Sequence, residues 1–288
     1  MRFTKMQGVG NDFVLTDGTM TPAGMDWGAL AVRVCARQVG VGADGLLVAG
    51  RGAGVPGGAP ISMRMFNPDG TEDVCGNGLR CVGLWAHRAG WVDGARFPIH
   101  TRAGVRSVER LDGGGTQGLL RVDMGVPLLR PADVPFAPDS PFPLAQERVL
   151  DVPITLGGAE YSITAVNTGS THAIIFGPPP DEDTFQCVSP LMETHPWFPE
   201  RTSVLWATPT DMDTFAVRIW ERGAGETWGC GTGACAVGVA ARLRGLTGGE
   251  SVDVVSKGGT LRIAWAGEGG DIWMTGPAQV VFEGEWDV

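Results

Sequence analysis

The chain has 288 residues and a formal net charge of −10; 43% of its residues are hydrophobic and 19% are charged. This composition is typical of a folded globular protein long enough for two domains of ordinary size. The negative charge disfavours nucleic acid as a partner. Since no long apolar run and no signal segment is evident, we expect a cytoplasmic protein that does not interact with membranes.

Short apolar runs separated by glycines and prolines predict strands along most of the chain. In chain order these runs are FVLTD, GLLVAG, SMRMFN, LRVDMG, YSITAVN, HAIIFG, FAVRIWE, VDVVS, LRIAW and AQVVFEG. Helices are predicted at about 26–38, 76–88, 191–193 and 231–246. The proline-rich stretch 137–158 is interpreted as a loop and connector between two halves.

One glycine motif resembles a nucleotide-binding fingerprint in its letters only. Residues 40–45 read GVGADG and fit the G-x-G-x-x-G pattern. A dinucleotide fingerprint follows a strand and opens a helix, whereas here a helix is predicted before the motif and a strand after it. We therefore predict a tight turn there and no NAD site.

A second glycine motif occurs twice. Cys-Gly-x-Gly starts at Cys75 and again at Cys230, each time after a strand that ends in an acidic or polar cluster and before a helix of small residues. The repetition predicts two similar domains facing one another across a cleft. The alternative is coincidence in a chain with 45 glycines.

Two such motifs suggest a particular chemistry. A cysteine directly before a helix is expected to have a lowered thiol pKa, and the following glycines leave backbone N–H groups free to bind a carboxylate. One motif would suit a cysteine hydrolase. Two thiols on either side of one carbon atom would instead suit removal of an α-proton from one face and its delivery to the other, which is racemisation or epimerisation.

Each thiol also needs a group that exchanges protons with it. His172 in NTGSTHAIIF and Glu221 in WERGAGETWGC are the candidates. The alternatives are a histidine of the core or of a turn and a solvated glutamate at a strand end.

The sequence predicts neither a metal nor an organic cofactor. The six cysteines include no C-x-x-C pair and the four histidines are scattered, which disfavours zinc. Lys5 and Lys257 are the only lysines, and neither lies in a context typical of a pyridoxal-phosphate aldimine. The cysteines are expected to be reduced thiols.

With these motifs in view, the chain resembles the diaminopimelate epimerase family. The matching segments are KMQGVGNDFVLTDG, GVGADGLL, MFNPDGTEDVCGNGLRC, RIWERGAGETWGCGTGACA and WMTGPAQVVFEGEW. The resemblance implies an α/β fold of the α+β type, with two pseudo-symmetric domains that each wrap a mixed β-sheet around a central helix. The implied domains are 1–117 with 275–288, and 118–274, with the active site in the cleft between them. The implied reaction is the cofactor-independent interconversion of LL- and meso-diaminopimelate by two thiols.

The resemblance also implies roles for particular residues. The catalytic residues would be Cys75, Cys230, His172 and Glu221. The substrate-binding residues would be Asn11, Asn67, Gly76, Asn77, Ser170, Ser203, Arg222, Gly231 and Thr232. Two of these, Ser170 and Ser203, stand where the family usually has asparagine, so two amides that would contact the far end of diaminopimelate are replaced by hydroxyls.

Three alternatives stay open at this point. The first is a two-thiol racemase of the same family that acts on another amino acid. The second is the related fold that isomerises phenazine precursors, although those proteins lack the paired cysteines. The third is a non-enzymatic protein that binds a small molecule. In the enzymatic cases the partner is an amino-acid substrate, and a homodimer is left open.

Overall fold

The computed structural model describes residues 1–21, 24–52, 54–137 and 147–287. The chain divides into two compact units, Met1–Asp123 with Thr275–Val288 and Met124–Met274. Within the described ranges, no helix combines the length and the apolar character that crossing a membrane requires.

The first unit is a mixed sheet around one buried helix. Its elements are β1 (Arg2–Gly8), β2 (Asn11–Asp17), α1 (Trp27–Cys35), β3 (Gly45–Arg51), β4 (Ile61–Phe66), β5 (Glu72–Asp73), α2 (Gly76–Arg88), β6 (Arg96–Thr101), β7 (Gly104–Gly114) and β8 (Gln117–Gly125). The pairs β2–β3 and β4–β6 are parallel, whereas β1–β2, β3–β4, β4–β5, β6–β7 and β7–β8 are antiparallel. Helix α2 packs against strands β1 to β4 and β7, and most of its residues are buried.

The second unit has the same construction. Its elements are β9 (Val149–Leu156), β10 (Ala159–Asn167), β11 (Thr171–Phe176), α3 (Glu182–Glu193), β12 (Ser203–Asp211), β13 (Thr214–Glu221), β14 (Gly225–Thr227), α4 (Gly231–Leu243), β15 (Ser251–Ser256), β16 (Gly259–Trp265) and β17 (Ile272–Glu285), which continues into the first unit. Helix α4 packs against β10, β11, β12, β15 and β16. It is rich in alanine, glycine and valine, so its backbone can lie close to the surrounding strands.

The order of strand pairs repeats between the units. In the first unit, β2 pairs parallel with β3 across α1, β4 and β5 follow antiparallel, and α2 leads to β6, parallel to β4. In the second unit, β11, α3, β12, β13, β14, α4 and β15 repeat these steps. The predicted fold class and the internal repeat are therefore confirmed.

Strand β17 links the end of the chain to its beginning. It pairs antiparallel with β1, from Arg2 opposite Glu285 to Gln7 opposite Gln279. The amino group of Met1 donates to the carbonyl of Trp286, and the amide of Trp286 donates to the carbonyl of Met1. The C-terminal segment thus supplies a strand of the first unit.

The interpretation of 137–158 as a connector is wrong for its second part. Residues 138–146 lie outside the described residues, but β9 occupies Val149–Leu156. Its buried residues alternate with more exposed ones, and Pro153 falls on the exposed face. The period-2 pattern of buried residues is therefore a stronger signal here than the proline.

Helix prediction is accurate where glycine and cysteine mark a helix start. Helix α2 has the predicted bounds, α1 and α4 end three residues early, and α3 begins at Glu182, nine residues before the predicted start. Asp181 caps α3 by accepting from the Thr184 amide, and Pro190 lies inside the helix. A proline inside a helix is unusual, so Pro190 makes this helix hard to recognise from the sequence. The N-cap residue Asp181 nevertheless indicates where it begins.

The GVGADG motif is a turn, as predicted. Helix α1 precedes it and β3 follows it. A Cβ atom at Gly40 would lie 2.4 Å from the Arg33 carbonyl oxygen, and Gly42 has a φ of +76°. These glycines serve the return of the chain from helix to strand.

We predict that Gly83→Ala destabilises the first unit. Alanine favours a helix interior over glycine by about 0.5–1 kcal/mol. At Gly83, however, a Cβ would lie 2.7 Å from Val108 Cγ1 and 2.9 Å from Leu120 Cδ2. Since overpacking costs about 1–3 kcal/mol, the free energy of unfolding should fall in urea denaturation. Gly114→Ala is the control, because no atom lies within 4 Å of the place its methyl group would take and its φ is not positive; an equal loss in both variants would contradict the packing argument.

Candidate functional site

Each repeated motif places a thiol at the N-cap of a buried helix. Cys75 caps α2, where its Sγ accepts a hydrogen bond from the Gly78 amide at 3.3 Å. Cys230 caps α4, where its Sγ accepts from the Gly233 amide, also at 3.3 Å. The N–H groups of the two residues between each cysteine and this glycine have no partner within their own helix. They can therefore bind an anion.

Glycine at the third helical position is a steric requirement in both motifs. A Cβ at Gly78 would lie 2.8 Å from Leu47 Cδ2, and one at Gly233 would lie 3.0 Å from Leu205 Cδ1 and 3.2 Å from Cys230 Sγ. Leu47 lies in β3 and Leu205 in β12, the equivalent strand of the repeat. The two sulfur caps are therefore built in the same way.

The remaining cysteines have other environments. Cys81 and Cys235 are fully buried along α2 and α4, as expected of packing residues, and burial raises the pKa of Cys81 to about 12. Burial likewise raises the pKa of Cys35 to about 12, whereas Cys187 is exposed.

In the first unit, two predicted substrate-binding asparagines lie beside Cys75. The Asn77 Nδ2 donates to Asn11 Oδ1 at 3.1 Å, and Cys75 Sγ lies 3.9 Å from the same oxygen. Asn11 Nδ2 in turn donates to Asp44 Oδ2 at 2.8 Å, and Arg80 Nη2 donates to Asn77 Oδ1 at 2.8 Å.

This chain of hydrogen bonds fixes which way both amides point. A carboxylate such as Asp44 can only accept and a guanidinium such as Arg80 can only donate, so each end dictates the orientation of the amide it touches. Asn11 must therefore present its oxygen toward Cys75. The sequence alone did not identify Asp44 or Arg80 as part of the site, although Asp44 lies in the GVGADG motif and Arg80 in the segment CGNGLRC.

A partly buried ion pair supports the same corner of the first unit. Lys5 forms an ion pair with Asp12 and also donates to the Gly42 carbonyl, while Arg37 contacts both Asp12 and Asp44. Burial alone would raise the pKa of Asp12, but the hydrogen bonds from Arg37 and Lys5 outweigh it and lower that pKa. Asp12 is thus a local structural residue.

Asn67 and Gly76 are also placed by the first unit. Asn67 follows β4, where its Nδ2 donates to Thr71 Oγ1 at 3.1 Å. Gly76 is the first residue of α2. The structure therefore joins Asn11 and Asn77 to Cys75 through hydrogen bonds, while Asn67 is bonded to its own turn.

In the second unit, Glu221 interacts directly with Cys230. Glu221 also accepts from Thr227 Oγ1, and Thr232 Oγ1 lies 3.4 Å from Cys230 Sγ. Burial, followed by the charge of Glu221, raises the pKa of Cys230 well above its ordinary value. Our expectation of a lowered pKa is wrong here, because the bonds from Thr232 and the Gly233 amide are outweighed by the loss of solvation.

His172 is a neutral, fully buried imidazole in β11. Burial, and to a smaller extent the charge of Arg222, lowers its pKa to about 3. Its Nε2 lies 3.1 Å from Ser170 Oγ, and its Nδ1 is buried with no hydrogen-bond partner among the described residues. Near neutral pH this imidazole therefore carries no charge.

Ser170 and Ser203, where the resemblance implies asparagine, are both engaged by protein groups. Ser170 lies beside His172, and Ser203 Oγ accepts from the backbone amide of Arg222 at 3.1 Å. Arg222 Nη1 donates to the Glu200 carbonyl at 3.0 Å. Ser203 also sits directly opposite His172 in the parallel pair of β11 and β12. Ser203 thus supports the backbone of the arginine.

The helix start of the second unit is tied to the loop after β10. Thr168 Oγ1 donates to the Thr232 carbonyl at 2.8 Å. Gly231 and Thr232 form the first helical residues of α4. Among the described residues, no three histidine, cysteine, aspartate or glutamate side chains are grouped so that they could hold a metal ion.

Comparison with known proteins identifies relatives along the whole chain. The family model described as diaminopimelate epimerase matches residues 3–129 and 164–281. The diaminopimelate epimerase of Pelotomaculum thermopropionicum is 45% identical over 99% of both chains. That of Desulforudis audaxviator is 44% identical over 99% of both chains, and that of Methanococcus maripaludis is 38% identical over 100% of both.

Solved structures with lower identity share the fold. A phenazine biosynthesis protein of the PhzF family from Bacillus anthracis is similar with a TM-score of 0.68 at 16% identity, covering 100% of this chain and 99% of that one. A probable proline racemase from Agrobacterium radiobacter gives a TM-score of 0.70 at 16% identity, covering 100% and 93%. At this identity the likeness concerns the fold alone.

The buried state of His172 predicts an acid-sensitive stability. Between pH 6.5 and about 3 the unfolded chain binds a proton that the folded chain does not, so folding stability should fall as the pH drops through that window. The contribution is at most about 1.4 kcal/mol per pH unit. Below pH 6.5, His172→Gln should reduce the slope of the unfolding free energy against pH by up to about 1.4 kcal/mol per pH unit, which corresponds to one bound proton. Above pH 8 the slope should be unchanged. Identical slopes in both proteins would show that the imidazole charges normally in the fold.

Proposed function

The chain belongs to the diaminopimelate epimerase family, and on that premise we propose that it is a cofactor-independent epimerase that interconverts LL- and meso-diaminopimelate with Cys75 and Cys230 as its two proton-transfer groups. The observation that carries this proposal is the duplicated sulfur cap. Each repeat places one thiol at the start of a buried helix, next to backbone N–H groups suited to a carboxylate.

In the proposed reaction, one cysteine acts as a thiolate and the other as a thiol. The thiolate removes the proton from the α-carbon, and the electron pair of the broken C–H bond moves into the carboxylate to form an enediolate. The N–H groups of Gly76 and Asn77 and of Gly231 and Thr232 stabilise the charge on its oxygens. The thiol then gives its proton to the opposite face of the carbon, and the configuration is inverted.

The acid and base neighbours set the starting protonation states. Because Cys230 has a raised pKa, it begins as the protonated thiol and therefore as a proton donor. For the reverse direction Glu221 takes its proton, since the two groups are in contact. The resemblance implies His172 as the second proton acceptor; because burial lowers its pKa to about 3, it can take that role only when a negative charge such as a thiolate beside it stabilises the imidazolium.

The two lysines support a mechanism without an aldimine. The ammonium of Lys5 is buried in its ion pair with Asp12, and that of Lys257 lies over the ring of Trp228 at 4.6 Å from its centroid. The amine of Lys5 is therefore unavailable to a carbonyl cofactor, and Lys257 is an exposed residue.

The distal end of the substrate depends on Arg222. Its guanidinium can hold a carboxylate with two hydrogen bonds. The hydroxyls of Ser170 and Ser203 are used by His172 and by the Arg222 backbone, so they offer less to a second ammonium group than asparagine amides would. This favours, as the second candidate, a two-thiol racemase of another amino acid.

The assignment carries further proposals about context. Diaminopimelate is a precursor of lysine and of peptidoglycan, so the enzyme would act in amino-acid biosynthesis in the cytoplasm. Its partner would be the amino-acid substrate, with neither nucleic acid nor membrane involved. A homodimer is the oligomeric state to test.

We predict that Cys75→Ala and Cys230→Ala each lower kcat/KM by about 10²- to 10⁴-fold, which is the usual contribution of a positioned acid or base. The measurement is conversion of LL-diaminopimelate in deuterated water under reducing conditions, with α-deuterium followed by NMR. Cys81→Ala and Cys235→Ala are matched controls on the same two helices and should lower the melting temperature while kcat/KM is retained. Full turnover by Cys75→Ala would falsify the two-thiol mechanism, and an inactive wild-type protein would refute this substrate.

We predict that Arg222 discriminates between substrates. If diaminopimelate is the substrate, Arg222→Ala should reduce kcat/KM by about 10-fold or more, because a hydrogen bond to a charged group contributes about 1.5–3 kcal/mol. Arg222→Lys, which keeps the charge without the planar fork, should lose less. The assay compares kcat/KM for LL-diaminopimelate with that for a panel of monocarboxylic amino acids. Faster turnover of a single amino acid, with no penalty from Arg222→Ala, would favour the racemase instead.

A further inference from the structure

Glu193 is a buried carboxylate that the proposed chemistry does not use. It is the last residue of α3, and only 5% of its surface is exposed. One oxygen, Oε1, accepts from the Gly223 amide at 2.7 Å and from the Arg201 guanidinium. The other, Oε2, accepts from the indole Nε1 of Trp220 at 2.7 Å.

Two of these partners enclose the dipeptide Glu221–Arg222. Trp220 comes directly before it and Gly223 directly after it in the chain. One carboxylate therefore contacts this segment at two places, through the indole of Trp220 on β13 and through the backbone amide of Gly223 in the turn before β14. Gly223 has a φ of +79°, and the Ala224 amide donates to the Glu221 carbonyl, so the turn is tight.

We propose that Glu193 is a positioning residue that fixes Glu221 against Cys230 and sets the direction of Arg222. The inference rests on the proposed function for the roles of those two residues. Ser203 also supports this turn by accepting from the Arg222 amide. The turn is thus held through the indole of Trp220 and the backbone amides of Arg222 and Gly223, and the side-chain ends of Glu221 and Arg222 act on a thiol and on a substrate.

The partner chemistry explains why a carboxylate is needed at this position. All three groups that contact the side chain are N–H donors, and a carboxylate has acceptor sites for all of them. A glutamine has one oxygen and one NH₂ group. In either amide orientation, the NH₂ would face a donor and leave at least one partly buried N–H without its acceptor, which is unfavourable.

The test compares Glu193→Gln with Glu182→Gln. Glu182 lies at the other end of α3, is largely exposed and pairs with Arg218, so its variant is the matched control. We expect kcat/KM for LL-diaminopimelate to fall about 10- to 100-fold in Glu193→Gln, with kcat lowered through Glu221 and KM raised through Arg222. The control should keep both constants.

A second readout separates positioning from loss of stability. The charge of Glu221 raises the pKa of Cys230, so a displaced Glu221 should lower the pH midpoint at which Cys230 is alkylated by iodoacetamide, as followed by mass spectrometry. A residue that only stabilised the fold would leave this midpoint unchanged. If Glu193→Gln does not fold, Trp220→Phe removes one of the three donors, keeps an aromatic ring and should move both readouts in the same direction by less.

The outcomes are distinguishable. Unchanged kcat, KM and alkylation midpoint in a folded Glu193→Gln protein would overturn the positioning role. If the wild-type protein does not turn over diaminopimelate, the proposed substrate fails, while the Cys230 midpoint in Glu193→Gln still decides whether Glu193 positions Glu221.

Discussion

Each half of this protein is organised around one contact, the hydrogen bond that the backbone amide of a glycine donates to the sulfur of the cysteine three residues before it. The bond fixes the thiol at the helix start, with Gly78 as the donor in one repeat and Gly233 in the other. The same glycines leave room for Leu47 and Leu205 on the neighbouring strands. In each repeat, one glycine therefore both supports the sulfur and allows a leucine of the core to approach the helix.

The polar groups near each thiol are set by a different environment in each unit. Asp44 and Arg80 orient two asparagine amides in the first unit, and in the second unit Glu221 raises the pKa of Cys230 while burial keeps His172 neutral. The two halves thus share a backbone plan but surround their cysteines differently. A symmetric scaffold with unlike surroundings suits a reaction in which one thiol gives a proton while the other takes one.

The sequence predicted local structure correctly where only a few residue types can occupy a position. The starts of α2 and α4 could be predicted because few residue types cap a helix, and the turn at Gly40 because only glycine allows the backbone to approach so closely. The strand β9 and the helix α3 are missed when Pro153 and Pro190 are given more weight than the alternating pattern of β9 and the N-cap residue Asp181 of α3. Glu193 could not be recognised for a different reason, because its partners Trp220 and Gly223 lie 27 and 30 residues further along the chain.

The antiparallel pairing of β17 with β1 has a consequence for biosynthesis. The part of β17 that belongs to the first unit, from Thr275 onward, leaves the ribosome after every residue of the second unit. The contiguous second unit can therefore close first, while the N-terminal half, although made earlier, waits for its final strand. Until then the surface of β1 that receives β17 is an unpaired edge, the kind of surface that chaperones protect in nascent proteins.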